Sequence, residues 1–121
     1  MKLKKPTPYI PLESEEQKVF VQWLELKKIK FTSVPNSTWT PSMAQKVKNK
    51  AMGLRSGFPD MIVALPNYLL CIELKRRKGG VVSQEQKDWI AALNLIPNVE
   101  ARVCFGADEA IKFVEYASKS Y

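Results

Sequence analysis

The run that most restricts this chain extends from Gly57 to Lys75, G-F-P-D-M-I-V-A-L-P-N-Y-L-L-C-I-E-L-K. Two apolar stretches, Asp60–Leu65 and Tyr68–Lys75, flank Pro66-Asn67. That dipeptide suits a turn and not a strand interior, so the run predicts a β-hairpin. With an even loop centred on Pro66-Asn67, Leu65 faces Tyr68, Val63 faces Leu70 and Asp60 faces Glu73. Directly opposed residues share a face of the sheet, with Cβ atoms about 4.5–5.5 Å apart. Lys75, two positions beyond Glu73, shares that face. An odd loop would slip the pairing by one residue and send Glu73 to the opposite face.

Two opposed carboxylates repel, and a purely structural hairpin seldom places them so. A divalent cation turns the repulsion into attraction, and Mg²⁺ favours one or two carboxylates completed by water and substrate phosphates. Lys75 beside such a pair could hold an attacking water or a phosphate oxygen. The plainer alternative is a solvated strand end carrying a Glu–Lys pair.

Charge points the same way. Nineteen Lys and Arg against twelve Asp and Glu leave a formal charge of +7 and a pI near 9.5, which favours a polyanionic partner: nucleic acid first, an anionic membrane second. Histidine is absent, which excludes imidazole bases and His-ligated zinc. No run approaches the ~18 apolar residues of a membrane span. Pro6 and Pro8 follow the basic start where a signal peptide would need an apolar segment, so a cytoplasmic protein is expected. Cys71 and Cys104 sit in apolar runs outside any CxxC spacing and read as reduced core thiols.

At 121 residues the chain fits one domain. Residues 1–12, with three lysines and three prolines, form a flexible basic arm ahead of a single domain over 13–121. A helix is expected from Ser14, a candidate N-cap with Gln17 three residues on, carrying Val19, Phe20, Trp23 and Leu24 at helical spacing. Of its leading acids only Glu16 is placed to look inward. Glu13 and Glu15 fall on more exposed positions, where charge at a helix N-terminus is sufficient reason for them. Phe31–Val34 predicts a short strand. Ser42 caps a helix through Met52 with Met43, Val47 and Met52 apolar and Lys46, Lys48 and Lys50 polar, and Gly53 ends it. Lys46, Lys50 and Arg55, just upstream of the hairpin, are candidate phosphate contacts. So are Arg76, Arg77 and Lys78, since the run Lys75–Lys78 repels itself unless something anionic lies beside it. Ser83 and Gln86 form a capping box that opens a further helix, whose apolar face is Trp89, Ile90, Leu93 and Ile96. Glu100–Phe105 predicts a strand, and a last helix from Ala107 or Asp108 carries Ala110, Ile111, Val114 and Tyr116 inward.

The order helix, strand, hairpin, helix, strand, helix, with Pro59-Asp60 before the hairpin and Glu73-Leu74-Lys75 on its second strand, resembles the PD-(D/E)xK nuclease superfamily. Within it the chain is similar to stand-alone VRR-NUC domains of phage and bacterial type. Glu16-Gln17, Pro35-Asn36, Gly53 through Gly57, Gly79-Gly80, Ser83, Gln86 and Trp89 extend the match. The name-giving V-R-R signature is replaced by Glu73-Leu-Lys-Arg-Arg77. The resemblance implies an α/β, restriction-endonuclease-like core, a mixed β-sheet with a central hairpin flanked by helices. It implies Asp60, Glu73 and the Leu74 carbonyl as metal ligands, Lys75 as the catalytic lysine, a further carboxylate from Glu16, and Gln86 supporting the site. The expected cofactor is Mg²⁺, with Mn²⁺ as substitute. The expected substrate is DNA, branched as in Holliday junctions, cut by a homodimer. Flaps, forks, plain duplex, or non-catalytic DNA binding remain the competing readings.

Overall fold

The computed structural model describes residues 8–35 and 39–119. Helices and strands follow as α1 (Glu13–Leu26), β1 (Lys30–Ser33), α2 (Met43–Ala51), β2 (Met61–Ala64), β3 (Leu69–Lys75), α3 (Gln84–Leu93), β4 (Val99–Phe105) and α4 (Ala107–Ser118). The strands form one sheet in the order β1-β2-β3-β4. The first two pairings are antiparallel and β3–β4 is parallel. A parallel neighbour cannot be reached by a tight turn, and α3 supplies the crossover. The chain is thus an α/β domain with a mixed sheet and a central hairpin.

The hairpin takes the even register. Met61 pairs with Ile72, Ile62 with Cys71, Val63 with Leu70 and Ala64 with Leu69. The Leu65 N–H donates to the Tyr68 carbonyl at 2.9 Å, closing a two-residue loop at Pro66-Asn67. Asp60, one step before Met61, therefore stands opposite Glu73.

Strand alternation then divides the core. Met61, Val63, Leu70, Ile72 and Leu74 pack with Phe20 and Leu24 of α1 and Phe113 and Val114 of α4 on one face. Cys71 points to the other face, beneath α3, with Leu93, Ala101, Phe58 and Trp89. Both faces of β3 are covered, which explains why Leu70–Leu74 is apolar apart from Glu73. Cys104 belongs to the α1/α4 side, so the two cysteines lie on opposite faces and are free, buried thiols. Burial pushes both thiols up, Cys104 to about 12, which leaves little thiolate to react.

Local details differ from the expected boundaries. The N-cap of α1 is Leu12, not Ser14, because Glu15 reaches back to accept from the Leu12 N–H at 3.1 Å and from the Tyr9 hydroxyl. Helix α3 stops at Leu93. Asn94 turns instead onto β4, its amide bracketing the Ala101 N–H and C=O at 2.8 and 3.0 Å, which leaves Ile96 exposed beyond the helix end. Tyr116 is also exposed, where helical spacing placed it inward. Helix α2, capped by Ser42 on the Gln45 N–H, packs against no other helix or strand among the described residues.

Candidate active site at the open end of the hairpin

The site is built where the loop entering β2 meets the first turn of α3. Gly57 has φ +93°, and a Cβ there would lie 2.7–2.9 Å from backbone and side-chain atoms of Glu85 and Gln86. Only glycine allows that approach without a shift. Trp89 secures the same loop: its Nε1–H donates to the Ser56 carbonyl at 3.1 Å, and its ring meets Phe58 edge-on at 5.0 Å. Pro59, fully buried, then delivers Asp60 to the end of the sheet. The loop that carries Asp60 and the helix that carries Gln86 are therefore one packed unit.

Asp60 Oδ2 accepts the Leu74 N–H at 2.9 Å, which turns the carboxylate toward the last pleat of β3. An extended residue sends its N–H and C=O to the same side, so the Leu74 carbonyl faces this edge as well. Glu73 is only 2% exposed, and its Oε1 accepts a hydrogen bond from the Gln86 side-chain amide. Ser83 caps α3 and exchanges hydrogen bonds with Gln86: its hydroxyl accepts the Gln86 N–H at 3.2 Å, and Gln86 Oε1 accepts the Ser83 N–H at 2.9 Å. The capping box thus orients the very amide that meets Glu73. Burial, a hydrogen bond between the two carboxyl groups and the charge of Asp60 push Glu73 up to about 9, opposed by Lys75. Such a pair demands either a proton or a cation.

Glu13, expected on a more exposed position, is the α1 acid that senses this cluster. Burial and the charge of Asp60 raise its pKa, and Lys75 counters them. The signal available in the sequence was that Glu13 lies seven residues before the buried Phe20, on the same helical stripe.

Three of the expected site residues have partners within the chain. Glu16 does look inward, at 2% exposure, but it lies on the α1/α4 side of the sheet and not with Asp60 and Glu73. Its carboxylate accepts from Arg77 Nε at 2.7 Å, from Arg77 Nη2 at 3.3 Å and from the Ala107 N–H at the start of α4 at 3.4 Å. Arg77, expected to face phosphate, is thereby committed to Glu16, with Asp108 at 3.8 Å. Arg76 donates to the carbonyls of Ile10 and Pro11 at 2.7 and 3.1 Å and ties residues of the arm to the end of β3. Glu16 and Asp108 thus set two of the protein's own carboxylates beside Arg77 in the basic turn. Lys78 remains exposed. Residues 1–7 of the arm and Asn36 lie outside the described residues.

The description of the VRR-NUC domain matches residues 4–108. The chain belongs to the VRR-NUC domain family. A solved structure titled "VRR_NUC domain protein" superposes with a TM-score of 0.76 at 25% identity, covering 93% of this chain and 92% of the other. A comparison with curated proteins found no match. The family is one of nucleases, so this VRR-NUC domain is a nuclease-family protein whose substrate is DNA. Among the described residues no helix is long and apolar enough to cross a membrane.

Whether a divalent ion suits this VRR-NUC domain can be judged from its donors. Among the described residues no three Asp, Glu or Cys side chains gather as a ready-made ligand set. Two carboxylates and a backbone carbonyl do converge. That is the sparse, oxygen-only set that suits Mg²⁺, which keeps waters and takes phosphate oxygens in its remaining positions.

Proposed function

We propose that this VRR-NUC domain is a metal-dependent DNA endonuclease that hydrolyses phosphodiester bonds at the end of the β2–β3 hairpin. The observation that carries the reading is the buried Glu73 carboxyl held against Asp60, with Lys75 on the same sheet face. Asp60, Glu73 and the Leu74 carbonyl would hold Mg²⁺ or Mn²⁺. The ion, when bound, supplies Lewis-acid polarisation of the scissile phosphate and a more acidic bound water. Lys75 carries a positive charge on the same face, suited to orienting the nucleophile and countering charge that develops on the phosphate. Gln86, oriented by its capping box, keeps the Glu73 carboxyl turned toward Asp60. Glu16 in this reading is architectural, joining α1, the β3 exit and α4.

The finer reading is a cytoplasmic homodimer that cuts branched DNA such as four-way junctions. Two sites related by a two-fold axis would make paired, symmetric incisions. The test is cleavage of labelled junction, flap, fork and duplex DNA in Mg²⁺, Mn²⁺ and EDTA. Asp60→Ala and Lys75→Ala should each abolish cleavage and keep the native circular dichroism spectrum. Full activity in either variant refutes the assignment. Metal-independent binding with no cleavage of any substrate would favour a non-catalytic DNA-binding module.

A further inference from the structure

We propose that the exposed stripe of α2, with Trp39 ahead of it, seats unpaired nucleotides beside the cleavage centre. The inference rests on the DNA-cutting reading above and adds which form of DNA is held.

Met43, Lys46, Val47 and Lys50 follow one another at i, i+3, i+4 and i+7, so they fall on one side of α2. In most helices that stripe is buried. Here Met43 and Val47 are 71% and 65% exposed, and among the described residues α2 packs on no other helix or strand. Trp39, four residues before Met43, is 79% exposed. On the flank of the stripe Lys46, Asn49, Lys50, Leu54, Arg55 and Ser56 line a cleft of about 210 Å³. Arg55 is held there by donating from Nη1 to the carbonyls of Lys50 and Leu54, both at 3.0 Å. The cleft leads toward the centre, because Ser56 is the residue whose carbonyl Trp89 holds against α3.

Charge selects the occupant. Between Pro35 and Pro59 the chain has Lys46, Lys48, Lys50 and Arg55 and no Asp or Glu. A second copy of this face would oppose like charges with no acid to neutralise them. Nucleic acid supplies both halves of the match: phosphates for the cations and base faces for Trp39, Met43 and Val47. In intact duplex the bases are stacked out of reach, and the apolar half of the stripe would have no use. Cations interleaved with stacking groups are how single strands are held without sequence readout.

The test is fluorescence anisotropy in EDTA, which separates binding from cleavage, with a labelled duplex that is either blunt or carries a short unpaired tail. Wild-type protein should bind the tailed probe about tenfold more tightly, the range expected for one or two stacked bases. Trp39→Ala should erase that preference and Trp39→Phe should keep it. Replacing Lys46 and Lys50 with Ala should weaken both probes and lower the salt slope by about 2. Equal affinity of wild type for the two probes, or a preference that survives Trp39→Ala, overturns the inference. So does sedimentation showing that Val47→Glu converts a dimer to a monomer, or Trp39-dependent binding to vesicles of anionic lipid. Cleavage in Mg²⁺ without a tail preference would overturn this inference alone. A tail preference without cleavage would overturn the nuclease reading alone.

Discussion

Replacing Glu73 with Gln should stabilise the metal-free protein while it removes activity. The Glu73 carboxyl is 2% exposed, accepts from Gln86 and faces Asp60. Its folded value of about 9 lies above the ordinary 4.5. Between those two values the folded chain binds a proton that the unfolded chain has released, so stability falls as pH rises through that window. Each pH unit above 4.5 costs about 1.4 kcal/mol, which sets an upper bound of about 3 kcal/mol at pH 7. Glutamine keeps the shape, can accept from Gln86 and can donate to Asp60, and it carries no such dependence. For a chain of 121 residues the bound corresponds to a rise in Tm of about 10 °C. Thermal melts followed by circular dichroism in EDTA, from pH 5 to pH 9, would show the wild type losing stability and Glu73→Gln holding level. Adding Mg²⁺ should restore the wild type at high pH and leave the variant unchanged. Parallel pH curves for the two proteins would refute the reasoning, because they would mean that Glu73 titrates alike folded and unfolded.

Gly57→Ala should lower the unfolding free energy measured by urea titration by about 1–3 kcal/mol from its φ alone, and more from the clash with α3. It should also reduce cleavage by moving Gln86, whereas Gly53→Ala, which meets nothing within 4 Å, should leave cleavage near wild type. Arg77→Ala strands the buried Glu16 carboxylate and should lower the Tm, and the double variant with Glu16→Gln should recover part of the loss. Glu16→Gln by itself should keep metal-dependent cleavage, and loss of cleavage without loss of fold would place Glu16 in the metal site after all. Cys71 and Cys104 should resist alkylation in the native protein and react at once in denaturant, as followed by mass spectrometry.

Local patterns determined much of this protein. Alternation and a turn dipeptide were enough to place a hairpin, but the two-residue loop that sets Asp60 opposite Glu73 was decided by the structure, since hairpin register follows from loop length. The capping box at Ser83 and Gln86 was legible because its partners lie three residues apart. Side-chain pairing across long separations was not legible. Helical spacing turned Glu16 inward but could not tell which face of the sheet α1 would cover, and that choice gave Glu16 to Arg77, 61 residues away. The same packing gave Arg76 and Arg77 partners within the chain, although in the sequence they look like any basic turn. Only the assembled fold showed that Gly57 and Trp89 lock the hairpin entry to α3, and that Gln86 reaches Glu73 across 13 residues. The hairpin sets a pair of acids by local geometry. Their burial, and with it the demand for a proton or a cation, comes from helices that reach them only in three dimensions.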